Sequence, residues 1–222
     1  MDYQISAEEV AWETTHPDDL WVMDKLILSR KLGYVCGPAG TLVPAHGDYI
    51  VRPCVNAMGL GLGARKTFLV NTTDKLELGT FWCEWFKGRH LSVDFHYGNQ
   101  VLCVEGIRPD IYTNNLSKWG RWVRTDDQFE FPSILKTLRK SYEWINCEFI
   151  GDKLIEVHLR KNEDFSKGTN IQEFVPVWEG ERTDPEEGWR YIEYPDLHGR
   201  IGAFIKEDYS YMSVFKRKKK SH

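Results

Sequence analysis

The chain has 222 residues and a formal net charge of −4, with 41% apolar and 28% charged residues, which suits one large domain or two small lobes sharing a cleft. No run of about 18 apolar residues occurs, so we expect no membrane partner, and the N-terminus lacks the basic-then-apolar pattern of a signal peptide. The five scattered cysteines have no zinc-ligand spacing and are typical of free thiols, so we expect a cytoplasmic protein.

Residues 1–19 form an N-terminal extension, predicted to be a loop or a short helix up to residue 16. An amphipathic helix is predicted to begin at Pro17, which is flanked by acidic residues, and to end at Gly33. It carries Lys25, a residue that by itself is typical of a solvated surface. Residues 34–47 contain several Gly and Pro and are predicted to be a connection.

A short β-prone run at 49–51 is followed by Arg52 and ended by Pro53. Glycines then alternate with leucines at Gly59, Gly61 and Gly63. Such glycines let a backbone approach a ligand closely and direct N–H groups at phosphate oxygens, which indicates a flexible lid over a nucleoside triphosphate. A glycine-rich hairpin without a ligand has the same pattern, and the spacing matches neither a P-loop nor a Rossmann turn.

Strands are predicted at 67–70, at 81–83 and, as a hairpin, at 90–95 and 101–104. The second of these leads into a hinge formed by Glu84, Trp85 and Phe86. Residues 106–128 are rich in Trp and Arg and are predicted to form a loop that shapes a substrate site. The candidate carboxylate-binding residues in this segment are Arg108, Arg121 and Arg124.

A helix is predicted to follow Pro132, with one apolar face made of Ile134, Leu135, Leu138, Tyr142 and Ile145. A β-hairpin over residues 145–160 comes next, and its two strands carry Glu148 and Glu156. The two-residue period of a strand places Glu156, His158 and Arg160 on one face. Two carboxylates on adjacent strands can hold Mg²⁺, which keeps waters and phosphates as its other ligands. The same alternation is also typical of the solvent face of a sheet.

Residues 163–215 contain further predicted strands, at 174–178, 189–194 and 199–205, and residues 216–222 form a basic tail. A tail of this kind is usually solvated, and no aromatic residues are interleaved with its cations. We therefore do not expect nucleic acid to be the partner.

The order of these segments resembles the ATP-grasp superfamily, which includes carboxylate–amine and carboxylate–thiol ligases, over roughly residues 20–162. The resemblance implies an α+β fold in which two small lobes with mainly antiparallel sheets flank a nucleotide cleft. It implies a glycine-loop lobe at about residues 48–86 and a metal-binding lobe at 87–162.

The resemblance also implies roles for individual residues at an ATP site. Lys25 is similar to the first phosphate-binding lysine of the family, and Arg52 stands where a second lysine is usual. The glycine loop resembles the lid over the phosphates, the hinge resembles the segment that meets adenine, and His90 stands at the ribose-binding position. The implied ATP-binding residues are Lys25, Arg52, Gly59, Gly61, Gly63, Glu84, Trp85, Phe86 and His90.

The late hairpin resembles the metal-binding part of the family. Glu148 and Glu156 are similar to the two Mg²⁺-bridging carboxylates, and His158 replaces the usual asparagine as the third implied ligand. Since imidazole nitrogen is a softer ligand than an amide oxygen, Mn²⁺ is an alternative metal. Arg160 matches an arginine that steadies the reacting phosphoryl group, so the implied catalytic residues are Lys25, Arg52 and Arg160.

The activity implied by the resemblance is that of a ligase that uses ATP to activate a carboxylate as an acyl phosphate for attack by an amine or a similar nucleophile. Its partners are ATP and a carboxylate substrate that the sequence does not identify. Two alternatives stay open: a small-molecule kinase of the same fold, and a nucleotide- or protein-binding module without activity. The second is compatible with His158 and with the short segment before Lys25, where the family usually has an N-terminal domain.

Overall fold

The computed structural model of the chain describes residues 6–55, 63–109, 116, 118–196 and 199–208. The strands in chain order are β1 Cys36–Pro38, β2 Gly47–Pro53, β3 Arg65–Leu69, β4 Thr80–Glu84, β5 His90–His96, β6 Asn99–Ile107, β7 Arg121–Arg124, β8 Trp144–Ile150, β9 Lys153–His158, β10 Ile171–Trp178, β11 Arg190–Glu193 and β12 Arg200–Glu207. The first four form a small antiparallel sheet in the order β1-β4-β2-β3. The other eight form a large antiparallel sheet in the order β11-β12-β10-β7-β6-β5-β8-β9. This architecture confirms the predicted α+β fold with two antiparallel sheets.

Two α-helices lie before the first strand: α1 Ala7–Thr14 and α2 Lys25–Lys31. Ser6 caps α1 in a reciprocal capping box with Glu9, which satisfies two backbone donors that the first helical turn leaves unpaired. The predicted continuous helix from Pro17 to Gly33 is wrong in one respect. A 3₁₀ turn over Pro17–Val22 is followed by a new helix start at Asp24, whose carboxylate accepts from the backbone N–H groups of Leu26 and Ile27. Among the described residues, no helix is long and apolar enough to cross a membrane.

The predicted helix after Pro132 is also wrong. The chain forms two short 3₁₀ turns, Ser133–Leu135 and Leu138–Lys140, and β8 begins at Trp144. Ile145, assigned by its spacing to a helix face, is instead paired with Phe95 on β5 and buried in the sheet's core. Strand pairing far along the chain therefore overrides a local apolar spacing that fits a helix equally well.

Two short strands were not predicted from the sequence. β1 lies in the segment read as a connection and pairs with β4, and β7 lies in the Trp- and Arg-rich segment and pairs with both β6 and β10. Strands of three or four residues are too short to show a two-residue period. Through β7, the predicted C-terminal strands become part of the large sheet.

Three hydrophobic cores cover parts of the two sheets, and the sheet faces outside these cores carry polar side chains. One face of the large sheet packs against the helices through residues that include Val93, Cys147 and Val157. Its other face is apolar only around β6, β7, β10 and β12. Because side chains alternate along strands, the polar residues of β5, β8 and β9 share that second face. The small sheet has its own core around Val51 and Trp82, so Arg52 points the opposite way.

Candidate functional site

Glu156 lies at the centre of a charged cluster between the two sheets. Lys25 Nζ, at the start of α2, is 3.7 Å from Glu156 Oε1, and Arg52 Nη1, near the end of β2, is 3.5 Å from Glu156 Oε2. All three side chains are buried, Lys25 to 2% exposure. Burial lowers the pKa of Lys25; Glu156 opposes that effect and the charge of Arg52 adds to it.

Backbone contacts hold these two cations in place. The backbone N–H of Lys25 donates to the carbonyl of Cys54 at 2.7 Å, which ties α2 to the end of β2. Arg52 Nη2 donates to the carbonyl of Ile155 at 2.7 Å, which joins the small sheet to β9 of the large sheet. Arg52 Nε is buried and has no hydrogen-bond partner among the described residues. The cluster therefore contains a fixed guanidinium with one donor still to be satisfied.

Glu148 is the direct cross-strand partner of Glu156, so two carboxylates lie side by side on β8 and β9. His90 Nε2 is 2.9 Å from Glu148 Oε2, and His158 Nε2 is 3.9 Å from Glu148 Oε1 and 3.4 Å from Glu156 Oε1. Burial by itself would raise the pKa of Glu148. The hydrogen bond and charge of His90, with the charges of His158 and Arg52, instead hold that pKa well below its usual range.

A third carboxylate reaches the cluster from helix α1. Glu8 is 7% exposed, and its Oε2 lies 2.9 Å from His158 Nδ1 and 2.6 Å from Arg160 Nε. Burial opposes ionisation of Glu8, but His158 and Arg160 lower its pKa to about 2. Burial also opposes the charged form of His158, and Glu8 is the largest influence that raises the pKa of this imidazole.

The structure brings most of the sequence-predicted site residues into one connected network. Its members are Lys25, Arg52, His90, Glu148, Glu156, His158 and Arg160. Arg160 lies just past the end of β9, and its Nη1 also donates to the carbonyl of Lys161 at 3.1 Å. The individual roles of these residues toward a nucleotide stay predictions.

The predicted hinge residues make contacts within the small sheet and beside it. Glu84 ends β4, and its Oε1 accepts from the backbone N–H of Val35 at 2.9 Å. The ring of Phe86 packs edge-on against Tyr34 with centroids 4.8 Å apart, and Lys66 Nζ lies 5.2 Å from the ring of Trp85.

Of the three glycines in the predicted lid, the structure describes only the last, Gly63. Gly63 has φ +79°, a left-handed conformation that favours glycine, and it precedes β3. Gly59 and Gly61 lie outside the described residues, as does the basic tail.

The three arginines proposed to bind a substrate carboxylate lie in different places. Arg108 stacks on Trp119 at 3.7 Å, and the ring of Trp119 meets His90 at 4.5 Å. Arg121 pairs with Glu173 at 3.7 Å, and Arg124 donates to a backbone carbonyl of β10. Of the three, Arg108 is therefore the one linked to the candidate site by its contacts.

A buried polar network supports the site from the same face of the sheet. Asp94 Oδ1 accepts from Asn146 Nδ2 at 2.8 Å and from the backbone N–H of Asn162 at 2.9 Å. Asn146 also donates to Ser92 Oγ at 2.9 Å, and Ser92 is the cross-strand partner of Glu148. This network ties the segment after β9, which carries Arg160, to the centre of the sheet.

Within the described ranges, no group of three or more His, Cys, Asp and Glu side chains is arranged so that it could hold a metal ion by itself. Mg²⁺ at nucleotide sites typically takes one or two carboxylates and fills its other positions with phosphate oxygens and water. The adjacent carboxylates of Glu148 and Glu156 fit that donor set. His158 as a third ligand stays a prediction.

No protein-family model and no curated protein matches the sequence, whereas solved structures do. The L-amino acid ligase from Bacillus licheniformis matches at TM-score 0.51 and 13% identity, over 89% of this chain and 70% of its own. An ATP-grasp superfamily protein from Archaeoglobus fulgidus matches at TM-score 0.48 and 18% identity, over 84% and 64%. The ATP-grasp ligase PsnB, complexed with a minimal precursor, matches at TM-score 0.42 and 13% identity, over 66% and 54%.

Identities this low describe the fold alone. The chain shares its fold with the L-amino acid ligase from Bacillus licheniformis. The chain spans about two thirds of the length of the first two proteins that it resembles.

Sequence reasoning missed Glu8. The Ser6-Ala7-Glu8-Glu9 segment has the spacing of a capping box, which predicts a helix start. No local pattern tells which of the two glutamates turns inward, because that depends on the position of the helix against β9.

Proposed function

We propose that the protein is an ATP-dependent ligase of the ATP-grasp type, which activates a carboxylate as an acyl phosphate for attack by an amine or a similar nucleophile. One observation carries the proposal: Lys25 of α2 and Arg52 of the small sheet converge on Glu156 of the large sheet, at 3.7 and 3.5 Å. Cations and paired acids in one cluster suit a triphosphate with a divalent ion.

The cations would bind phosphate oxygens and offset the charge of the phosphoryl group as it moves. Arg52 suits this role because its buried Nε lacks a hydrogen-bond acceptor among the described residues, and a phosphate oxygen accepts such a donor well. Lys25 is held at the helix start, and Arg160 by Glu8. Fixed donors of this kind contribute about 3 kcal/mol each to stabilising a transition state.

Glu148 and Glu156 would hold a divalent cation, Mg²⁺ or Mn²⁺, together with the phosphates. When bound, such an ion would supply positive charge that offsets part of the negative charge of the phosphates. His90 orients Glu148 through the 2.9 Å contact, and His158 faces both carboxylates. His90 and His158 favour the ionised form of Glu148 by lowering its pKa, and their contacts hold both acids in position.

In the proposed reaction, an oxygen of the substrate carboxylate attacks the terminal phosphorus of ATP and ADP leaves, which forms an acyl phosphate. The lone pair of the nucleophile then forms a bond to the acyl carbon, the C–O bond breaks to release phosphate, and the proton lost by the nucleophile passes to water. The role of the protein is to position the reactants and to compensate the negative charge of the phosphoryl group. Arg108 is the candidate residue for holding the substrate carboxylate, since it lies against Trp119 beside His90.

A nucleotide-binding module without turnover is the second candidate. The observation that favours it is that Glu156, one of the two acids that would hold the metal, is already contacted by Lys25 and Arg52. A metal ion would have to compete with these two cations for Glu156.

The test is a thermal-shift and calorimetric titration with ATP, with and without Mg²⁺ or Mn²⁺, followed by turnover with a panel of carboxylates and amines. Ligand at 100 times its dissociation constant adds about 2.7 kcal/mol of stability. Hydroxylamine traps acyl phosphates, so hydroxamate formation supports a ligase, and a phosphorylated alcohol without hydroxamate indicates a kinase. Binding without turnover favours the module, and a wild-type protein that binds no nucleotide contradicts the proposal.

Lys25→Met and Lys31→Met make a matched pair for this test. Both lysines lie on α2, but Lys25 is buried in the site and Lys31 is exposed beside the ring of Trp21. Nucleotide binding should fall in the first variant and not in the second.

A further inference from the structure

The first helix of the chain places one buried charged residue, Glu8, against the candidate site. Of the eight residues of α1, two are buried: Glu8 and Ala11. Ala11 packs into the core beside β9 and the 3₁₀ turn, whereas Glu8 points to the polar end of β9. A carboxylate that is 7% exposed needs charged partners, because burial without them is costly.

The partners of Glu8 are the last two polar residues of the predicted metal- and phosphate-binding hairpin. Its Oε2 is 2.9 Å from His158 Nδ1 and accepts from Arg160 Nε at 2.6 Å, while Oε1 is 3.1 Å from the same histidine nitrogen. One carboxylate therefore contacts both side chains.

This contact determines which atoms of the two side chains face the site. With Nδ1 engaged by Glu8, His158 turns Nε2 toward Glu156 at 3.4 Å and Glu148 at 3.9 Å. With Nε of Arg160 engaged, the direction of its guanidinium plane is also set. A carboxylate bound to the far nitrogen of a functional histidine commonly fixes its orientation in this way.

We propose that Glu8 is a positioning residue of the candidate nucleotide site, so that helix α1 forms part of the site and orients His158 toward the paired carboxylates and Arg160 for phosphate binding. This inference rests on the proposed function. It assigns a role to a segment that lies before the region of ATP-grasp resemblance, and it explains why a charged residue occupies one of the two buried positions of a short helix.

The test compares Glu8→Gln, Glu8→Asp and the control Glu13→Gln in the full chain. Glu13 lies on the same helix but is exposed. The readouts are circular dichroism at 25 °C, the ring N–H proton signals of His158 in the free protein, and the ATP–Mg²⁺ dissociation constant by calorimetry. Glu8→Gln should lose the hydrogen-bonded ring signal and weaken ATP binding by at least about tenfold, as found for other orienting partners.

Rescue separates positioning from a general loss of structure. Glu8→Asp keeps the carboxylate on a shorter side chain and should recover part of the affinity, while Glu13→Gln should bind ATP as the wild type does. If Glu8→Gln does not fold, Glu8→Asp decides the matter: intermediate affinity supports the proposal, and wild-type affinity overturns it.

Two negative results have different meanings. A wild-type protein that binds no ATP contradicts the proposed function, and then the ring signal of His158 alone reports whether Glu8 orients that residue. A wild-type protein that binds ATP, with a Glu8→Gln variant that loses the ring signal yet binds within twofold of wild type, overturns the role of Glu8 while the proposed function stands.

Discussion

Replacing Glu156 with glutamine tests whether this residue is the electrostatic centre of the charged cluster. The change keeps the size of the side chain and removes one negative charge. Lys25 and Arg52, which lie 3.7 and 3.5 Å from the carboxylate, are both at least nine-tenths buried. The variant therefore leaves two cations close together in a buried place without the acid that compensates them.

The magnitude follows from these distances. At an effective dielectric constant of about 20, unit charges separated by roughly 3.6 Å attract each other by about 4–5 kcal/mol. Repulsion between the two cations and the cost of keeping all three charges from water offset part of this attraction. Breaking a buried ion pair by removing one partner costs about 3–5 kcal/mol, a large fraction of the roughly 5–15 kcal/mol that stabilises a typical domain.

Thermal unfolding and urea unfolding of the two proteins measure this loss directly. For a chain of this size, a loss of about 3–5 kcal/mol corresponds to a decrease in Tm of roughly 6–20 °C. Glu173→Gln is the matched control, since Glu173 also contacts two cations, Arg121 at 3.7 Å and Lys206 at 3.4 Å, but those cations are about half exposed. Exposed pairs contribute about 0–1 kcal/mol each, so the control should lose much less stability.

The result that refutes the reasoning is a Glu156→Gln variant that melts within about 2 °C of wild type, or one that loses no more than Glu173→Gln. Either outcome would mean that the cations are compensated by other groups. A measurement of ATP binding on the same variant, at a temperature where it is folded, then separates the effect on the site from the effect on stability.

Three other predictions concern single residues. Arg52→Lys should lose the 2.7 Å bond to the carbonyl of Ile155, because a lysine lacks the forked guanidinium, and should lower unfolding free energy by about 1–3 kcal/mol with weaker ATP binding. Gly106→Ala should destabilise the protein by about 1–3 kcal/mol, because the added Cβ would lie 2.7 Å from Trp119. Burial raises the pKa of Asp94, so the folded state holds its proton more tightly than the unfolded state, and this contribution to stability is lost as pH rises from about 4 through the raised pKa. In urea unfolding across pH 4–7, the unfolding free energy of Asp94→Asn should therefore increase relative to that of wild type as pH rises.

Each of these three predictions can be contradicted, either by comparison with a control variant or by a stated outcome. Arg65→Lys changes a partly exposed arginine paired with Glu77 and should have little effect on stability, so an equal loss of stability would show that the Arg52 contact has no particular weight. Gly47→Ala adds a Cβ whose nearest neighbour is 4.0 Å away and should be tolerated, and a tolerated Gly106→Ala would mean that the tryptophan moves freely. A stability difference between wild type and Asp94→Asn that does not change with pH would contradict the raised pKa of Asp94.

The parts of the site that could be predicted are those with a local pattern. The two-residue alternation around Glu148 and Glu156 predicted adjacent strands, and these residues are indeed direct cross-strand partners. The β-prone run at 49–51, followed by Arg52 and ended by Pro53, predicted the end of a strand, which β2 confirms. Side-chain period, capping and turn chemistry are properties of neighbours in sequence, so they can be read without coordinates.

Other features could not be predicted from the sequence and are seen only in the tertiary structure. The spacing around Ile145 fits a helix and a strand equally well, and pairing with β5 decided in favour of the strand. β1 and β7 are too short to carry a pattern, and they exist because neighbouring strands supply their hydrogen bonds.

The amino-acid sequence by itself determined the order of the functional segments, the alternation of the strands and the kinds of charge available for a nucleotide. The structure alone decided that these charges meet. Arg52 and Glu156 are 104 residues apart in the chain, and Glu8 and His158 are 150 apart. The reason is physical: contacts over such separations depend on how two sheets and a helix pack together, and packing is a property of the whole chain that no local pattern encodes.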